Sequence, residues 1–125
     1  MPKRESLYEK YPDYRVDAEP NSAPARATLF GTVIAESDRA LIVRETNLEP
    51  VIYFPREDVH LDLAERTTHE SFCPFKGVAS YWTFGCTDPP SDNVAWSYED
   101  PFDEVAEIKD YVSFYADRVE VSSLT

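Results

Sequence analysis

The sequence predicts a mainly β domain carrying one short helix, and three observations lead there. Runs rich in β-branched and aromatic residues alternate with a period of two. Ten prolines and clusters of Asp, Asn and Ser punctuate those runs at short intervals. Only one stretch, residues 101–109, carries the start signals of a helix. At 125 residues, with eight tyrosines, seven phenylalanines and two tryptophans, the chain is expected to bury a single core of modest size.

Residues 1–26 read as an N-terminal arm and connector, with Tyr8, Tyr11 and Tyr14 packing the arm onto the remainder and prolines marking residues 18–26. Residues 27–125 form the single β domain. Strands are expected over 28–35 and 40–45, joined as a hairpin through Glu36, Ser37, Asp38 and Arg39, and over 51–54, stopped by Pro55. Residues 56–59 form a tight turn or one helical turn. A strand over 69–73 enters a turn at 74–77, and residues 78–84 then alternate, with Val78, Ser80, Trp82 and Phe84 on one face. After a loop over 88–93, Val94, Trp96 and Tyr98 share a face, which places Trp82 and Trp96 on one side of one sheet. Asp100 caps the helix, Pro101 suits its first position, and Val105 and Ile108 face the core. A final hairpin joins 111–115 to 119–121.

The formal charge is −12. Phosphate backbones are held by Lys and Arg, and no basic stripe exists, so no nucleic-acid partner is expected and anionic membrane surfaces are disfavoured. Lys3 and Arg4 precede a polar stretch rather than an apolar one, and the longest mostly apolar run, 27–35, is too short to span a bilayer. A cytoplasmic setting with Cys73 and Cys86 reduced follows. The chain is expected to be a monomer or a weak homo-oligomer.

Chemistry concentrates at Cys73-Pro74-Phe75-Lys76-Gly77. Lys76 is the one Lys or Arg between Arg66 and Lys109, three residues from a thiol and beside a turn-forming glycine, which suits either a stabilised thiolate or an anion-holding turn. Arg56 offers a planar fork for a carboxylate, with Asp58 as its local partner. Tyr53, Tyr81, Trp82, Trp96 and Tyr98 would line an aromatic pocket, or pack as plain core. As an enzyme, the chain would use Cys73 as nucleophile, His69 as base and Lys76 as electrostatic support. His60, His69, Cys73 and Cys86 have ligand chemistry but no paired Cys-x-x-Cys spacing, so neither a metal nor a cofactor is expected. Phosphate-loop, nucleophile-elbow and zinc-helix motifs are absent.

Together the segments Tyr53-Phe54-Pro55-Arg56-Glu57-Asp58-Val59, Cys73 to Gly77 with Ala79, Tyr81 and Trp82, Ala95-Trp96-Ser97-Tyr98 with Pro101, and Phe114-Tyr115 with Val119 and Val121 resemble domain-of-unknown-function family 427. The likeness runs from about Tyr11 to about Ser122, and this chain has Phe75 where members usually carry Tyr. The resemblance implies two antiparallel sheets leaning together, similar to the β-tent or Mss4-like folds. Some relatives of that architecture bind structural zinc, and one class holds small ligands in an aromatic cage. The leading expectation is a small-ligand module in which the Arg56–Asp58 turn and the 73–77 turn meet over Tyr53, Tyr81, Trp82, Trp96 and Tyr98. The alternatives are the Cys73 enzyme and an interaction domain presenting the acidic 99–110 region.

Overall fold

The computed structural model describes residues 6–85, 87 and 91–123. These form β1 (Val16–Pro20), β2 (Ala25–Leu29), β3 (Thr32–Ser37), β4 (Leu41–Glu45), β5 (Val51–Tyr53), β6 (Ala64–Cys73), β7 (Gly77–Phe84), β8 (Ser91–Ser97), β9 (Val112–Phe114) and β10 (Glu120–Ser123). The class is mainly β, as expected. The strands make three antiparallel sheets rather than two: β1-β4-β5, β10-β2-β3 and β6-β7-β8-β9. Among the described residues no helix is long and apolar enough to cross a membrane.

The first hairpin turns inside the run read as one strand. Phe30 and Gly31 both take positive φ, +47° and +83°, which reverses the chain between β2 and β3. The expected turn at 36–39 instead carries the chain from one sheet to another. There Ser37 donates to Asp58 and accepts from the Arg39 amide, and β4 pairs with β1 and β5. The last expected hairpin also separates: β9 pairs with β8, and β10 returns to β2. The helix is a 3-10 helix, Asp103–Ile108, broken at Val105 and preceded by Phe102, so Asp100 does not cap it. Val105 and Ile108 are buried, as their spacing requires.

The four-stranded sheet separates two apolar clusters. Trp82, Phe84 and Ala95 pack with Ala27, Leu29, Ile34 and Ala35 of the β10-β2-β3 sheet. Ala79, Tyr81 and Trp96 pack with Val16, Val43 and Tyr53 of the β1-β4-β5 sheet. The register explains the division. Tyr81 lies opposite Trp96, and Trp82 opposite Ala95, so successive side chains leave opposite faces. Trp82 and Trp96 therefore do not share a side. Val94 sides with Ala95 rather than Trp96, because the ladder slips between Trp82 and Phe84, where Asn93 takes φ +49°. Two isolated bridges add to this: Ala35–Val59 joins β3 to the segment after residue 58, and Phe54–Val112 joins the end of β5 to β9.

Candidate functional site

The β6–β7 turn sets Lys76. Its amide donates to the Cys73 carbonyl at 3.2 Å, and its own carbonyl accepts from the Phe102 amide at 3.1 Å. Gly77 follows at φ +120°, where a Cβ would sit 3.4 Å from the Asp100 carbonyl oxygen, so glycine suits both the conformation and the space. The Lys76 ammonium turns inward and meets Glu45 Oε1 at 2.6 Å, with only 13 % and 7 % of the two side chains exposed. The Tyr14 hydroxyl donates to the other Glu45 oxygen, and the Tyr98 ring lies 5.8 Å from the ammonium. Burial opposes the Lys76 charge, but Tyr53 and the Glu45 carboxylate outweigh it and hold Lys76 above the ordinary lysine value. Burial also pushes the Tyr53 and Tyr98 phenols upward.

The N-terminal arm covers this turn. Tyr14 stacks on Phe75 with centroids 3.7 Å apart, Tyr8 meets the same ring edge-on, and the Tyr8 hydroxyl donates to the Phe75 carbonyl. The Leu7 amide donates to the Pro74 carbonyl at 3.0 Å.

From this buried pair a row of rings runs outward on the same face. Trp96 Nε1–H donates to the Tyr53 hydroxyl at 3.3 Å, and Trp96 packs on Tyr115 with centroids 4.7 Å apart. Tyr115 and Tyr81 are joined through their hydroxyls at 3.2 Å, and Tyr81 also bonds Ser71 Oγ at 2.8 Å. His69 packs on Tyr81 at 4.5 Å. Burial, then the Tyr81 hydroxyl, raises the Tyr115 phenol to about 12. Tyr53 is the closed end, while Trp96 is half-buried and Tyr115, Ser71 and His69 reach solvent.

On the opposite face, Arg56 donates to Glu99 Oε2 (3.0 Å), Ser97 Oγ (3.0 Å) and the Asp110 carbonyl (3.2 Å). Arg66 of β6 reaches the same carboxylate, with Nη1 2.9 Å from Oε2 and Nη2 2.5 Å from Oε1, and also donates to Ser80 Oγ at 2.9 Å. Both guanidinium carbons lie against the Trp82 ring, at 5.1 and 5.3 Å from its centroid. Hydrogen bonds from Arg66 and then Arg56 outweigh the cost of partial burial and hold the Glu99 carboxyl below its usual range.

The nominated residues thus fall into three groups. Tyr53, Cys73, Tyr81, Trp96 and Tyr98 gather in one cluster, with the Lys76 ammonium against the Tyr98 ring. Arg56 and Trp82 stand across the sheet from them. Asp58 pairs with Arg39 at 3.1 Å and takes a hydrogen bond from Ser37, so it is not the partner of Arg56. The two turns do not close over one hollow, because a sheet with alternating side chains intervenes. Cys73 is a half-buried free thiol opposite Gly77, whereas His69 packs on Tyr81, four residues further along β7. At about 3.3 Å per strand residue, the thiol and imidazole backbones stand roughly 13 Å apart, too far for a nucleophile–base pair. Among the described residues no three His, Cys, Asp or Glu side chains gather around a metal position, and Cys86 lies outside those residues.

Sequence reasoning missed Glu45, Arg66 and Glu99, whose partners are 31, 33 and 43 residues away and leave no local spacing to read. A family model described as a domain of unknown function, DUF427, matches residues 17–124 and bears out the resemblance carried by the motifs. No curated protein matches the chain.

Proposed function

The chain belongs to the DUF427 family, and we propose that within this framework it binds a small, flat, uncharged or cationic ring compound against Trp96 and Tyr115, with the buried Tyr81 holding Tyr115 from behind. Tyr53, Tyr98, Lys76 and Glu45 form the floor, and Cys73 packs beside them as a structural thiol. The observation that carries the reading is the graded row of rings, closed at Tyr53 and open at Tyr115 and His69, with hydroxyls spaced along it. Such a surface offers a π-face for stacking and a few polar tips for orientation.

The charge balance selects the ligand class. Lys76 is already neutralised by Glu45 and turned inward, so it offers no cation to an anionic ligand. The surrounding chain has twice as many acids as Lys and Arg residues, which further disfavours anions on this face. Stacking on one aromatic contributes about 1–3 kcal/mol per ring, enough for weak but saturable binding when two rings engage.

The test uses a Trp82→Phe variant, in which Trp96 is the sole indole. Its fluorescence is titrated with adenosine, nicotinamide, thymine and caffeine. A saturable change with at least one compound, weakened tenfold or more by Tyr115→Ala, supports the proposal. No saturable change with any of the four overturns it.

A further inference from the structure

On the other face of the four-stranded sheet, we propose a second binding site, for a compact oxyanion (a phosphate or a small dicarboxylate), formed by Arg56 and Arg66 over Trp82 and occupied in this structure by the chain's own Glu99. It is independent of the aromatic site, since the two lie on opposite faces of β7 and β8.

Two guanidinium groups converge on one carboxylate, and together with Ser80 they approach its two oxygens by four contacts of 2.5–3.3 Å. That is the arrangement that recognises an oxyanion: planar forks, both carboxylate oxygens engaged, and hydroxyls at the edges. The arginines are pre-positioned by groups other than Glu99. Ser97 and the Asp110 carbonyl hold Arg56, Ser80 holds Arg66, and the Trp82 ring backs both. Ser80, Ser97 and Trp82 are buried, so this supporting shell is firm. The receptor would therefore keep its shape when Glu99 leaves.

The charges favour such an exchange. Two full positive charges are met at hydrogen-bond range by one negative charge, and the next carboxylate, Asp110, stands 3.9 Å from Arg56. A dianion brings one more charge than Glu99 to set against these arginines, with Asp110 as the remaining counter-charge on Arg56. Access exists as well, since the Arg66 side chain is 52 % exposed on its strand. Glu99 acts as an intramolecular competitor, which makes binding in the native chain weak and places the control of affinity in a single residue.

The experiment follows thermal unfolding of the full chain in potassium phosphate or sodium malonate, against sodium chloride at matched ionic strength. Glu99→Gln keeps the side-chain volume and one acceptor oxygen while removing the competing charge. We expect Glu99→Gln to show a saturable rise in melting temperature with phosphate, malonate or both, with a midpoint at least tenfold lower than in the native chain. The response should disappear in Glu99→Gln/Arg66→Gln. A second readout uses Glu99→Gln/Trp96→Phe, in which Trp82 is the sole indole and should change emission over the same concentrations as the melting shift of Glu99→Gln. Saturation by phosphate alone identifies a charge-dense ligand, and saturation by malonate alone a dicarboxylate; either supports the site. No saturation in a folded Glu99→Gln protein, or a response that survives loss of Arg66, overturns it.

Discussion

At Glu45 and Lys76 two opposite charges leave water together, so neither tolerates the loss of the other. Lys76→Met strands a carboxylate at 7 % exposure beside Tyr14 and Tyr53, and should cost about 3–5 kcal/mol in urea unfolding. The double variant Lys76→Met/Glu45→Leu removes both charges and should recover most of that loss, because apolar replacements of buried pairs are often neutral. If the double variant is as unstable as the single, the pair stabilises more than desolvation arguments allow. Phe30 presents the reverse case. It is 85 % exposed at φ +47°, so its ring contributes little packing while its backbone is held where Asn is several-fold favoured. Phe30→Asn should therefore stabilise by about 0.5–1 kcal/mol, measured as a shift of the denaturation midpoint without a change in slope.

Elements were legible where a local signal coincided with a local partner. The β6–β7 hairpin was readable because Pro74 and Gly77 punctuate two runs that pair with each other. The β2–β3 turn was not, since Leu29 and Phe30 look like strand and only Gly31 marks the reversal. The β9–β10 connection failed for a different reason: both strands exist, but each pairs with a sequence-distant strand, and local patterns carry no such address. The site divides in the same way. Lys76, Tyr81 and Trp96 stood out by residue type and alternation. Glu45 was one acid among 24 until the fold placed it against Lys76. The two well-placed glycines offer a test of element rigidity. Gly77→Ala meets both a left-handed backbone and the Asp100 carbonyl, and should cost about 2–3 kcal/mol. Gly31→Ala has φ +83° but no atom within 4 Å, so only the backbone penalty of about 1–2 kcal/mol should remain. Equal losses would show that the β6–β7 turn relaxes away from the segment it packs against.

Across the whole molecule the titrating groups bracket a pH range of stability, and the signs can be assigned. Glu99 has a folded value below its unfolded one, so its contribution is complete above about pH 4.3 and is lost as pH falls through the folded value. Acidification also drains the −12 charge and relieves self-repulsion, which works in the opposite direction. The Glu99 effect is therefore read as a difference: Glu99→Gln should be less stable at pH 7 and converge on the native chain as pH falls through the folded value. At the alkaline end the folded values of Lys76, Tyr8, Tyr14, Tyr53, Tyr98 and Tyr115 all lie above their ordinary ones. The native state then holds more protons than the unfolded chain, so stability present below about pH 10 falls as pH rises beyond it. Five of the eight phenols are among these groups, and all five sit with Lys76 on one face of the four-stranded sheet or in the arm that covers it. Phenolate absorbance and tertiary circular dichroism should consequently change together in one steep step, as unfolding releases the protected tyrosines at once. Tyr98→Phe removes one buried phenol and should make the alkaline decline in unfolding free energy shallower. Gradual titration of all eight tyrosines near pH 10 with the fold intact would mean that this face is open to water.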